Sequence, residues 1–156
     1  MNDNLKFEKL LSLIKSKHQH FTEYNTTTKQ ILKDLKNEKN TLELFEKRES
    51  LITQINEVNA SIYEIVNSLT LDEKNIFSKL IKNSASIANF NDNETYMAIA
   101  KTSTEISSII KEIKLIDKEI EPLLQAQRKE AQMNIRRVRK ELEERKNISI
   151  LKSYKA

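Results

Sequence analysis

With 156 residues, 38% of them hydrophobic and 32% charged, the chain is long enough to bury one core. It has no glycine, no cysteine and one proline, where average usage of ~7% would place about eleven glycines; phosphate loops, dinucleotide fingerprints, nucleophile elbows, standard EF-hand loops, disulfides and thiol chemistry are excluded together, and a tight-turned sheet is disfavoured. The net charge of +4 is uneven: residues 1–122 hold 17 Lys+Arg against 19 Asp+Glu, whereas residues 123–156 hold 10 against 4, a basic segment of net +6.

The first predicted element is a helix over about 5–36, from the apolar stripe Leu5, Leu10, Leu11, Ile14, Phe21, Ile31, Leu32 and Leu35, with Thr28 in its gap. A polar break at Lys36 to Lys39 follows. Asn40-Thr41-Leu42-Glu43 then has the form of a capping box, and a helical hairpin over about 5–69 fits, although an unbroken helix is also compatible. The second arm has the cleanest period: Leu51, Ile55, Val58, Ile62, Ile65 and Leu69 are separated by 4, 3, 4, 3 and 4, a coiled-coil seam expected to be buried. Ile52 and Val66 widen it toward a bundle.

Thr70-Leu71-Asp72-Glu73 is a second capping box, opening a short helix over about 71–88 with Ile76, Phe77, Leu80, Ile81 and Ile87 as its apolar set. Asn89 to Asn93 is the predicted loop, with asparagine taking the turn positions glycine usually holds. A long helix follows over about 94–147, carrying Ile109, Ile113, Ile116, Ile120, Leu123, Gln127, Ala131, Ile135, Val138 and Leu142. Three successive steps of four after Leu123 interrupt the seam. The stripe reads through Pro122, which favours a kinked continuous helix over a new helix opening at that proline. The fold class is therefore all-α: an antiparallel helical bundle or coiled coil with a long C-terminal helix, read as one helical domain over 1–156.

Nothing in the pattern suggests catalysis, a cofactor or a metal. His18 and His20 lie two apart, on opposite sides of a helix, and cannot share one ion. Asp92, Asn93 and Glu94 lack the glycine and distal glutamate of a calcium loop and fit helix capping. Carboxylate pairs such as Glu43 and Glu46, or Asp117 and Glu121, have ordinary surface spacing. Arg136, Arg137, Arg139 and Lys140 form a basic cluster, but the absence of interleaved aromatics and the glutamates at 141, 143 and 144 argue against nucleic acid. No apolar run approaches the ~20 residues of a membrane span, and Met1-Asn2-Asp3-Asn4 is unlike a signal peptide, so a cytoplasmic protein without membrane insertion is expected.

The stretch Leu42-Glu43-Leu44-Phe45-Glu46-Lys47-Arg48-Glu49-Ser50-Leu51-Ile52, the short middle segment, and Ile113-Lys114-Leu115-Ile116-Asp117-Lys118-Glu119-Ile120 in the long helix resemble flagellar export chaperones of the FlgN and FliT type. The closing Ile150-Leu151-Lys152-Ser153-Tyr154-Lys155 is similar to the basic, tyrosine-bearing end of FliT-like proteins, while the long last helix sits better with FlgN; Pro122 departs from the family's pattern there. The resemblance implies a cytoplasmic chaperone that binds the C-terminal amphipathic helix of a hook-associated or filament-cap subunit and delivers it to the type III export gate. The candidate partner-binding residues are Ile120, Leu123, Leu124, Ile135, Val138 and Leu142, with Tyr154 facing the gate. A structural coiled-coil scaffold, a homodimer included, and a nucleic-acid-associated helical protein using the basic tail are the alternatives.

Overall fold

The computed structural model describes residues 3–82 and 93–155. Four helices appear in chain order, α1 (Asp3–Lys36), α2 (Leu42–Asn67), α3 (Leu71–Ile81) and α4 (Glu94–Lys155), and no strand occurs among the described residues. The chain divides into two units, residues 1–117 and 118–156. Pro122 lies inside α4, which is assigned as one helix on both sides of it. The expected helix at 71–88 is seen as far as Ile81, and its continuation with Ile87 falls outside the described residues.

In the first unit, α1 and α2 form an antiparallel hairpin. Lys6 Nζ donates to the Ser68 carbonyl at 2.9 Å, satisfying an orphan acceptor at the end of α2, while Arg48 near its start reaches Tyr24. The first part of α4 runs parallel to α1: Phe7 meets Tyr96, His18 meets Glu105, and Asn25 meets Glu112, in the same order along both helices. One connected core gathers where α1 begins, α2 ends and α4 begins, with Phe7, Leu10, Ile14, Leu69, Ile99 and Ile106 joined by Phe77 and Leu80 of α3. Its α4 members lie upstream of the stripe read from the sequence. Farther along α1, Thr26, Thr27 and Thr28 keep helical geometry by donating their hydroxyls to the carbonyls four residues back, which lets Thr28 sit fully buried.

The helix ends show how a glycine-free chain turns. Lys39 N donates to the Asp34 carbonyl at 2.8 Å and Glu38 N to the Leu35 carbonyl at 3.2 Å, the two bonds of a Schellman motif, and Glu38 takes the left-handed φ of 57° that glycine would supply. A side chain there is disfavoured, so Glu38→Gly is expected to raise the unfolding free energy by about 0.5–1 kcal/mol, after allowing for the freer unfolded chain. A denaturant titration checks this, and an unchanged or lowered midpoint would contradict it. The expected capping box at residues 40–43 is not formed. Thr41 occupies the N-cap without a side-chain bond, and Asn40 Oδ1 instead accepts from Leu42 N at 2.9 Å, because the Schellman turn delivers the chain one residue later than the pattern suggested. The box at Thr70 is complete, with Glu73 N donating to Thr70 Oγ1 at 3.2 Å and Thr70 N to Glu73 Oε1 at 2.8 Å. Asn93 caps α4 by accepting from Tyr96 N at 3.0 Å.

The seam on α2 is corrected in its middle. Leu51, Ile55 and Leu69 are buried as expected, but Val58, Ile62 and Ile65 are only half-buried and Ile52 is exposed. Ile62 packs against the core cluster but also lines an open cavity together with residues of α1, α3 and α4, which leaves part of its surface uncovered.

Candidate functional site

Several side chains with chemistry to offer in the first unit join helices, while His20 bonds within α1. His18 Nε2 lies 3.4 Å from Glu105 Oε2, and His20 Nε2 lies 3.4 Å from Ser16 Oγ. Lys29 Nζ and Asn25 Nδ2 both approach the Glu112 carboxylate, at 2.8 and 3.1 Å, and these hydrogen bonds hold its pKa below the ordinary carboxylate value. Asp117, half of a carboxylate pair in the sequence, accepts two hydrogen bonds from Arg48 instead, at 2.9 and 3.3 Å. Glu43, Glu46 and Glu121 are exposed. Among the described residues, no group of three or more His, Asp or Glu side chains is placed to hold a metal, and no helix is long and apolar enough to cross a membrane.

The sequence-predicted partner-binding residues all lie in the second unit and do not share one environment. Ile120 is buried, at 3% exposure, and Leu123 and Leu124 are half-buried. Ile135, Val138 and Leu142 are 52%, 51% and 57% exposed. Positions i, i+3 and i+7 fall on one helical face, so these three form a continuous apolar row, with Ala131 extending it one turn upstream. Met133, Ile148 and Ile150 are exposed as well, but their spacing puts them on other faces. Every described residue from 125 to 150 is exposed. Tyr154 falls within α4, and its side chain lies outside the described residues.

The row is bordered by charge that runs in blocks. Arg136, Arg137, Arg139 and Lys140 are exposed and followed by Glu141, Glu143 and Glu144, so Arg137, Arg139 and Lys140 each have a glutamate four residues on. Such pairs support an exposed helix by about 0.2–0.5 kcal/mol each. Arg137 Nη2 also donates to Asn134 Oδ1 at 3.3 Å. The arrangement can present three large apolar side chains at helical spacing between charged flanks, the form in which one amphipathic helix receives another.

Sequence reasoning found this row through its period but missed the groove of the first unit and the Arg48, Asp117 and Tyr24 cluster. The first is lined by residues of four helices that lie far apart in the sequence. The second joins residues 24 and 69 positions apart, which no local pattern signals. Compared with protein-family models, with curated proteins and with solved structures, the chain matches none.

Proposed function

We propose that the protein is a cytoplasmic export chaperone, a binding protein and not an enzyme, that holds the amphipathic C-terminal helix of a flagellar hook-associated or filament-cap subunit and delivers it to the type III export gate. The observation that carries the binding part of this reading is the exposed row Ile135, Val138 and Leu142 on one face of α4. Large apolar side chains exposed in register lose water when a partner helix covers them, at roughly 25 cal/mol per Å² of apolar area. The flagellar client and the gate rest on the resemblance of the segments around Leu42 and Ile113. Ile120, Leu123 and Leu124 lie upstream, where burial leaves Leu123 and Leu124 with part of their surface for a partner and Ile120 with almost none. Tyr154, between Lys152 and Lys155, is assigned to an acidic patch on the gate.

A peptide with the sequence of a hook-associated C-terminal helix should bind with low-micromolar affinity or better, about −8 kcal/mol, which a few well-covered apolar anchors supply after ordering costs. Ile135→Ser, Val138→Ser and Leu142→Ser together should weaken this at least ~100-fold, because each removes an anchor without touching the core. Raising salt from about 0.05 to about 0.5 M should weaken it far less, since screening reaches the arginines and not the methyl groups. Isothermal titration reads both effects. Binding that salt abolishes and the serine variant retains would replace this reading with an electrostatic one, for which steep salt-dependent DNA binding is the next test. Strong sedimentation as a dimer, lost in the same serine variant, would assign the row to self-association.

A further inference from the structure

The groove of the first unit holds two adjoining cavities of about 220 and 360 Å³, which share Asn59 and Ile110. Its floor follows α1 from Ile14 to Tyr24, and its walls run over residues 52–62 of α2 and 103–114 of α4, with Phe77 and Ile81 of α3 at one end. At 1.5 Å per residue the trough is about 15 Å long, close to three helical turns. Phe21, Ile62 and Ile110 are half-buried and Ile52 and Ile81 exposed, so the walls leave apolar surface in water. The groove is thus lined by α1, α2 and α4, with α3 at one end, and is long enough for a short helix.

We propose that this groove is a second docking site, distinct from the α4 row, for a three-turn amphipathic helix of another protein that carries acidic residues beside its apolar face, opposite Lys17 and Lys114.

Charge decides the occupant. Among the described residues, each cavity has one lysine in its lining, Lys17 in the first and Lys114 in the second, and neither is lined by a carboxylate. Lys17 is half-buried and makes no ion pair among the described residues, and burial pushes its ammonium below the ordinary lysine value. A cation stripped of part of its water without a counter-ion gains most from an incoming carboxylate. A second copy of this chain is a weaker fit: its exposed apolar row is flanked by Arg136, Arg137, Arg139 and Lys140 as well as by Glu141, Glu143 and Glu144, so more than half of its flanking charge would oppose Lys17 and Lys114. An acidic helix meets both the shape and the charge.

The test uses the full chain and two hydrocarbon-stapled peptides of three turns with the same leucine face, one flanked by glutamates and the other by lysines, followed by fluorescence anisotropy, with laurate as a third probe. The glutamate peptide should bind at least ~10-fold tighter than the lysine peptide, and Lys17→Gln with Lys114→Gln should cut that ratio below ~3-fold. Ile52→Glu, a change at an exposed wall position whose fold is checked by circular dichroism, should weaken the glutamate peptide at least ~10-fold. The serine variant of residues 135, 138 and 142 should leave it unchanged, so failure here and failure of the α4 row are separately visible. Equal binding of the two peptides, a preference that survives the lysine variants, or loss of binding in the serine variant would overturn the proposal. So would binding of laurate with neither peptide bound, which would mark a site for small amphiphiles.

Discussion

Phe7→Ala should lower the unfolding free energy by about 3–5 kcal/mol, the range for removing a large aromatic from a packed core. Phe7 is 1% exposed and meets Tyr96 edge to face, with ring centroids 4.8 Å apart and planes at 61°. It belongs to the cluster where α1, the end of α2, α3 and the start of α4 converge, so its removal would leave a cavity in a core shared by several helices. Total stabilities of about 5–15 kcal/mol make this a large share. Denaturant unfolding followed by circular dichroism measures it; a loss under about 1 kcal/mol would place Phe7 at a loosely packed margin and contradict the core described above.

Breaking the Arg48 cluster should give an asymmetric result. The Arg48 side chain is 13% exposed and that of Asp117 39%. Arg48 donates to both Asp117 oxygens and to the Tyr24 hydroxyl, and its guanidinium carbon lies 4.5 Å from the Tyr24 ring centroid and 5.7 Å from that of Phe45. Asp117→Ala would leave a mostly desolvated cation without its counter-charge, which should cost about 2–3 kcal/mol, less than a fully buried pair because water enters on the aspartate side. Arg48→Met keeps an apolar stem against the rings and leaves a carboxylate that water can reach, so about 1 kcal/mol is expected. A double-mutant cycle in denaturant reads the difference. Equal losses in the two variants would show that the pair is solvated from both sides and joins α2 to α4 only weakly.

The Arg48 cluster also marks where sequence reading stops. Arg48 stands in a charged heptad-like stretch where an arginine is an ordinary surface residue, and only the approach of α1 and α4 makes it the joint of three helices. Lys17 is a similar case. Its neighbours Ser16 and His18 give no hint that it lines an apolar cavity. Ile62 shows the opposite error, because a regular period of fours and threes implies burial along its whole length, and Ile62 is only half-buried at the lining of an open cavity.

What the sequence determined by itself was whatever depends on neighbours within about one helical turn. The absence of glycine and of period-two alternation disfavoured sheet, the Thr70 and Glu73 pair and Asn93 set helix starts, the polar break at Lys36 allowed the hairpin, and the spacing of Ile135, Val138 and Leu142 placed them on one face. Each follows from backbone geometry and side chains three or four positions apart. Tertiary structure alone decided which apolar faces were covered: it buried Phe7 and Ile99, left Ile52 and Ile62 at the edge of a groove, left the α4 row exposed, and put a left-handed glutamate at the turn of the hairpin. The period of a stripe specifies a direction around a helix but not the distance to the next helix, and burial is a function of that distance.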